Sequence, residues 1–129
     1  MLKTGILNPA INSLLCRIRH TNTLVIADRG FPFWPQIETI DISLTDDIPR
    51  ILQVLEAFNQ NFVIGKAFMA TEFKAHNLEE IQSAYAVALT GTPIVFEPHA
   101  EFKKRVPQAI GLIRTADTTP YGNVILESA

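Results

Sequence analysis

Short apolar segments alternate with segments of helical periodicity along nearly the whole chain, and this alternation limits the possible folds more than any other feature. The run TLVIA at 23–27 is typical of a buried strand. It follows a segment in which Ile11, Leu14, Leu15 and Ile18 recur at helical spacing. Strands that alternate with helices in this way favour a largely parallel sheet covered by helices. We therefore predict an α/β protein, a three-layer α/β/α sandwich with a mixed, mostly parallel sheet of about six strands.

The same periodicities predict the individual elements and leave no obvious linker, so residues 1–129 are expected to form a single domain. The predicted strands are 23–27, 37–42, 62–70, 92–98, 110–115 and 123–128. The predicted helices are 8–19, 47–59, a third that Asn77 caps with Leu78, Ile81 and Tyr85 facing inward, and 100–106, which Pro107 ends or kinks. Too few residues separate the last two strands for a crossover helix. The last strand should therefore be an antiparallel addition or a neighbour of the one before it.

Composition and charge exclude several classes of protein. The net charge is −2 and no basic run occurs, so nucleic acid is not an expected partner. No apolar run approaches the ~20 residues that span a membrane, so we expect no membrane insertion. The N-terminal segment is broken by Asn8 and Pro9 and makes a poor signal peptide. With Cys16 as the only cysteine, no intrachain disulfide can form, and a cytoplasmic protein is the simplest interpretation.

Several polar side chains follow directly on predicted strands, where open α/β sheets bind ligands. Asp28 follows the strand 23–27, and His99 follows the strand 92–98 with Lys103 one helical turn later. Tyr121 and Asn123 begin the final strand, which reaches the same edge of the sheet if it runs antiparallel. Together these five residues offer donors, acceptors and an aromatic face, which is what a sugar needs.

The sequence lacks the motifs of most other chemistries. It contains no phosphate-binding loop, no dinucleotide fingerprint and no nucleophile elbow. No two cysteines or histidines stand at metal-ligand spacing, so no metal and no cofactor are predicted. A reaction that uses only acid–base groups fits best. The pattern alone leaves structural alternatives open: Asp28 as a turn cap, His20 as a cation at a helix end, Tyr121 as core, and His99 with Lys103 as solvated surface.

Four separated motifs, in register over nearly the whole chain, resemble the D-ribose pyranase family, which is grouped with the L-fucose mutarotases. They are GILN at Gly5–Asn8, HTNTLVIADRGFP at His20–Pro32, H-x-E-F-K-K at His99–Lys104, and IRT…TPYGNVIL at Ile113–Leu126. The segment TPYGN is more similar to the ribose branch than to the fucose branch. Gly122 departs from the alanine that is usual there, and Pro107 interrupts a segment that is usually helical.

The resemblance implies a cofactor-free isomerase that interconverts the pyranose and furanose forms of D-ribose, built as a ring-shaped homo-oligomer, commonly a decamer. It implies that His20 is the proton donor. It also implies that the sugar is held by Asp28, His99, Lys103, Tyr121, the backbone around Gly122, and Asn123. Three alternatives remain: a mutarotase of another sugar such as L-fucose, a non-catalytic sugar-binding or transport-associated protein, and an oligomeric scaffold with a vestigial pocket.

Strand length constrains how His20 and Asp28 can work together. At about 3.3 Å per residue, the five residues of TLVIA place Asp28 roughly 16 Å or more from the start of the strand. A pentose is only about 6 Å across, as estimated from ordinary covalent dimensions. We therefore expect a site between subunits, in which His20 of one chain faces the Asp28 pocket of another.

Overall fold

Helices and strands alternate along the chain, as the sequence predicts, in the computed structural model, which describes residues 1–129. The strands are β1 (Thr23–Ala27), β2 (Glu38–Asp41), β3 (Ile64–Ala70), β4 (Ile94–Glu97), β5 (Gly111–Arg114) and β6 (Val124–Ser128). The helices are α1 (Pro9–Arg17), α2 (Ile51–Asn59), α3 (Glu72–His76), α4 (Glu79–Ala88) and α5 (His99–Arg105).

All six strands form one sheet in the order β2-β5-β1-β6-β3-β4. Strand β6 is antiparallel to both of its neighbours, β1 and β3, while the β1–β5, β2–β5 and β3–β4 pairs are parallel. The prediction of a mixed, mostly parallel sheet is thus confirmed, and so is the antiparallel direction of the last strand. The alternative that β5 and β6 are neighbours is wrong, because β1 lies between them. The short connection from β5 passes the end of β1 before it enters β6.

Helices cover both faces of the sheet, which makes the predicted three layers. Leu24 and Ile26 of β1 belong to the larger core, which includes residues of α1, α2 and α4. Val25 and Ala27 point to the opposite face and pack with Phe102 of α5. Because β1 is buried on both faces, its sequence is continuously apolar rather than alternating. None of the helices combines the length and the apolar character needed to cross a bilayer.

Helix α2 begins four residues later than its periodicity predicts. Asp47 has a positive φ of 63°, Ile48 is 53% exposed, and Pro49 disfavours a helical conformation at the residue before it. The buried carboxylate of Asp117 then accepts a hydrogen bond from the first backbone N–H of the helix, that of Ile51, at 2.8 Å. Asp117 thereby ties the start of α2 to the connection between β5 and β6.

The segment between β3 and β4 contains one helix more than predicted. Asn77 does not cap α4; it follows α3, and its side-chain amide donates to the carbonyl oxygens of Phe73 and Pro120. Leu78, predicted to face inward, is 73% exposed, because it is the N-cap residue of α4. Tyr85 is buried as predicted.

Helix α5 ends where proline chemistry predicts. It stops at Arg105, and Pro107 lies in a 3₁₀ turn, Val106–Gln108, which completes the segment before β5.

Candidate functional site

A cleft of about 280 Å³ opens at the edge of the sheet where β1 ends and β6 begins. Four of the residues predicted from strand ends line it: Asp28, His99, Tyr121 and Asn123. Gly30, Phe31 and Pro32 complete the wall. Two larger cavities beside α4 have mainly apolar linings, and no group of His, Cys, Asp and Glu in the chain could hold a metal ion. This cleft is therefore the candidate site for a polar ligand.

Asp28 and Asn123 form a two-way hydrogen-bonded pair at the base of the cleft. The amide oxygen of Asn123 accepts from the backbone N–H of Asp28 at 2.7 Å, and its amide nitrogen donates to Asp28 Oδ2 at 3.0 Å. The register Ile26 to Val124 in the antiparallel β1–β6 pair brings the two residues together. Gly30 N–H donates to Asp28 Oδ1 at 2.9 Å, so the turn-cap role is real as well. The carboxylate is thus held in one orientation, in which it can accept a hydrogen bond from a hydroxyl of the ligand.

His99 is the first residue of α5 and presents an imidazole to the cleft. Its Nδ1 atom is buried without a hydrogen-bond partner. The ring stacks on Phe102 at 6.0 Å between centroids, and Phe31 and Tyr121 meet it edge-on at 6.5 and 5.1 Å. A buried polar atom without a partner costs free energy, typically about 1–3 kcal/mol. Aromatic packing therefore fixes the imidazole at the wall of the cleft, with one ring nitrogen buried and unpaired.

The surroundings of His99 favour its neutral form. Burial lowers its pKa below the ordinary value of 6.5, and the positive charge of Lys103 lowers the pKa further. The carboxylates of Glu72 and Asp28 act in the opposite direction without reversing the shift. His99 is therefore neutral at pH 7, and folding stability should fall as the pH drops from about 6.5 through the lowered pKa, because the unfolded chain protonates first.

Two substitutions should move this pKa in opposite directions. Lys103→Met removes the like charge and is expected to raise the pKa of His99, whereas Glu72→Gln removes an opposite charge and should lower it. NMR titration of the His99 ring carbons measures both. A wild-type midpoint at or above the ordinary value, or shifts of the same sign in the two variants, would contradict the described electrostatics.

Tyr121 forms the aromatic wall of the cleft. It is half-buried, so its ring is neither core nor free surface, and it lies between His99 and His76, whose ring centroid is 5.0 Å away. Tyr121 has a positive φ of 54°. Gly122 is buried between the two cleft residues Tyr121 and Asn123, and its N–H donates to Thr119 O at 3.2 Å. This tight turn is what lets both neighbours reach the cleft.

Lys103 and His20 do not line the cleft. Lys103 is half-buried on α5, one turn after His99, and acts on that residue through its charge. His20 is exposed and precedes β1, whereas Asp28 follows it. The chain next to His20 is fixed there, because Thr21 N–H donates to Ser128 O at the far end of β6 from Asn123. His20 and Asp28 of one chain therefore lie at opposite ends of the same strand.

Helix α3, which the sequence patterns missed, supports the cleft from behind. Glu72 Oε2 accepts the backbone N–H of His99 at 2.7 Å and so caps α5 from another element. His76 packs against Tyr121, and Asn77 donates to Pro120 O at 2.8 Å. The register explains the contact: β3 and β4 pair Ala70 with Glu97, so Glu72 and His99 each lie two residues beyond that pair.

Arg114 is a second missed residue, and it holds the turn that follows Asp28. Its Nη1 lies 2.6 Å from Phe31 O, with longer contacts to the carbonyl oxygens of Asp28 and Arg29 at 3.4 and 3.3 Å. The parallel β1–β5 register, Ala27 to Arg114, sets this position. Phe31 is thereby kept buried against Phe102. No sequence pattern singles out an arginine that ends a strand in this way.

Comparisons with known proteins agree on one family over the full chain. The model of the RbsD / FucU transport protein family matches residues 1–129. D-ribose pyranase of Geobacillus kaustophilus is 41% identical over 128 residues, which cover 99% of this chain and 93% of that protein. The structure of Bacillus subtilis RbsD complexed with D-ribose is 32% identical, covers 100% of this chain and 98% of that one, and superposes with a TM-score of 0.93. The fucose mutarotase of Streptococcus pneumoniae, at 19% identity and a TM-score of 0.83, shares the fold.

Proposed function

The chain belongs to the RbsD / FucU transport protein family, and we infer that it is an isomerase, a D-ribose pyranase that interconverts the pyranose and furanose forms of the sugar. One observation supports D-ribose as the substrate. A polar cleft built on Asp28 and Asn123 lies in a chain that matches a ribose-bound relative over its full length. The volume of about 280 Å³ is near the lower end of small-molecule sites, which suits a monosaccharide.

The reaction needs two proton movements and no redox change. A base removes the proton from the anomeric hydroxyl, the bond from C1 to the ring oxygen breaks, and an acid protonates that oxygen to give the open-chain aldehyde. Closure by the hydroxyl on C4 instead of that on C5 then yields the furanose. A histidine, with an ordinary pKa of about 6.5, can both give and accept protons near neutrality.

We assign His20 as the acid–base group and the cleft residues as the sugar-binding set. The carboxylate of Asp28 accepts a hydrogen bond from a sugar hydroxyl, and Asn123 holds that carboxylate in place. His99, neutral at pH 7, places its imidazole at the wall of the cleft, and Tyr121 gives the sugar ring an aromatic face. We also assign to the sugar-binding set the backbone around Gly122, between the two cleft residues Tyr121 and Asn123, and Lys103, whose positive charge would stabilise a developing alkoxide.

This assignment requires two subunits at each site. His20 lies at the far end of β1 from the cleft, so a sugar held by Asp28 can reach only the His20 of another chain. We propose a homo-oligomer with shared sites, and the resemblance favours a ring-shaped decamer. A cytoplasmic location is likewise proposed from the sequence.

Two-dimensional NMR exchange spectroscopy on D-ribose tests the function directly. The wild-type protein should increase the rate at which pyranose and furanose signals exchange, in proportion to enzyme concentration. Ribose that binds, as seen in signal broadening, without faster exchange would favour a binding protein and overturn the enzyme assignment. L-fucose under the same conditions is the control, and faster exchange of fucose than of ribose would overturn the substrate assignment.

A further inference from the structure

A buried tyrosine hydroxyl lies directly beneath the turn that carries two cleft residues. A Cβ atom built on Gly122 would be only 2.6 Å from the Tyr85 hydroxyl oxygen. Gly122 does not have the positive φ that would require glycine for conformational reasons. The glycine is therefore needed for space, and the Tyr85 hydroxyl occupies that space.

Core packing holds Tyr85 at this contact, although the residue also lines one of the two larger cavities beside α4. Its side chain is 1% exposed and belongs to the main core, and its ring is tilted against Phe73 at 4.7 Å between centroids. The hydroxyl makes no well-formed hydrogen bond, and the Thr119 side chain is a polar neighbour. Burial and the negative charge of Asp117 raise the pKa of Tyr85 far above its ordinary value, so the group stays a neutral, protonated hydroxyl. The close approach of this hydroxyl to the Gly122 backbone is therefore chiefly a steric contact.

We propose that Tyr85 is a positioning residue of the sugar site. Its hydroxyl packs against the 121–123 segment and sets the position of that segment, and the missing side chain of Gly122 leaves the space for this contact. The proposal rests on the proposed function. Asn123 and Tyr121 flank the contact and both line the cleft, so a shift at Gly122 moves the partner of Asp28 and the aromatic wall together.

The size of the effect follows from the geometry. To reach ordinary contact at 3.4 Å, a Cβ at position 122 and the Tyr85 oxygen must separate by about 0.8 Å. We take the Tyr85 ring, packed against Phe73 in the main core, as the fixed side, so that the turn moves. A misplacement of about 1 Å can cost on the order of 10²-fold in rate.

A double-mutant cycle on kcat and KM for ribose exchange tests the pair. Gly122→Ala is expected to lower kcat/KM by about 10- to 10²-fold. Tyr85→Phe removes the support beneath the turn and should raise KM a few-fold. Combined with Tyr85→Phe, Gly122→Ala should cost only a few-fold more, because the contacts with Thr119 Cβ at 3.2 Å and Cγ2 at 3.3 Å are milder than the one removed. Equal losses from Gly122→Ala in both backgrounds would overturn the proposal.

Gly111→Ala is the matched control for crowding. Its Cβ would lie 2.8 Å from Leu14 Cδ1, and Gly111 pairs with Leu24 in the part of the sheet away from the cleft. It should lower the melting temperature and leave the KM for ribose and the Asn123 side-chain amide signals unchanged. If Gly122→Ala likewise lowered only the melting temperature, the role of Tyr85 would be purely structural and the proposal wrong.

A second measurement does not depend on activity. The side-chain amide signals of Asn123 should shift in Gly122→Ala and return toward wild type when Tyr85→Phe is added; signals that do not move would overturn the proposal. A wild-type protein that fails to accelerate ribose exchange would overturn the proposed function instead, and the amide signals would still report the coupling.

Discussion

Replacing His20 by alanine is expected to lower the rate of ribose pyranose–furanose exchange by about 10²- to 10⁴-fold, the usual contribution of a positioned acid–base group. The loss should appear in kcat, with little change in KM, because the cleft residues, Asp28 and Asn123 among them, hold the sugar and His20 only moves the protons. The melting temperature should hardly change, since the side chain is exposed. Exchange spectroscopy at saturating ribose measures the effect.

Added imidazole separates lost proton transfer from lost structure. If His20 acts only as an acid and base, free imidazole should restore part of the activity of His20→Ala and leave His20→Phe inactive, because the larger side chain fills the space. Exchange by His20→Ala at the wild-type rate would show that another group moves the protons, and His99 would then be the first candidate.

The part of the cleft that sequence patterns predict is the part set by local rules. Asp28 and His99 follow their strands directly, and ligands bind at the carboxyl ends of strands in such sheets. Asn123 joins them because the short connection after β5 leaves no room for a crossover and makes β6 antiparallel. Each of these inferences needs only the length of one strand and the direction of the next.

The missed part depends on which strands are neighbours. Glu72 reaches His99 only because β3 and β4 are adjacent and in register, and Arg114 reaches the Asp28 turn only because β5 lies beside β1. Strand order is a long-range property that periodicity does not contain. Helix α3, with five residues, is also too short to show a periodic apolar face. The residues that support the site are therefore harder to predict from the sequence than the residues that line it.

The exposed position of Leu78 shows a related limit of prediction from helical spacing. Its spacing from Ile81 and Tyr85 fits a helical face, yet it is the N-cap and lies in solvent. A cap residue has extended backbone geometry, so the helical spacing does not apply to it. The boundary of α4 was decided by Asn77, whose side chain bonds to α3 and to Pro120 instead of capping the next helix.

Subunits that carry different defects should restore each other's activity. His20→Ala removes the acid–base group, and Asp28→Ala removes the carboxylate that orients the sugar and leaves Asn123 Nδ2 without its partner. Each variant alone should lose about 10²-fold or more. If each site takes His20 from one chain and Asp28 from another, equal random mixing should make about a quarter of the sites wild type. Co-assembly of differently tagged variants, followed by exchange spectroscopy, measures this gain.

A second mixture provides the matched control, because the two possible arrangements predict different pairs of numbers. The double variant His20→Ala/Asp28→Ala, mixed equally with wild type, should also give about a quarter of full activity when sites are shared between chains. Sites built within one chain would instead give about half in this mixture and essentially none in the first. Values of about half and none would contradict a site shared between chains. Values of about a quarter in both mixtures would mean that the protein must assemble in order to act, since neither end of β1 holds a complete site.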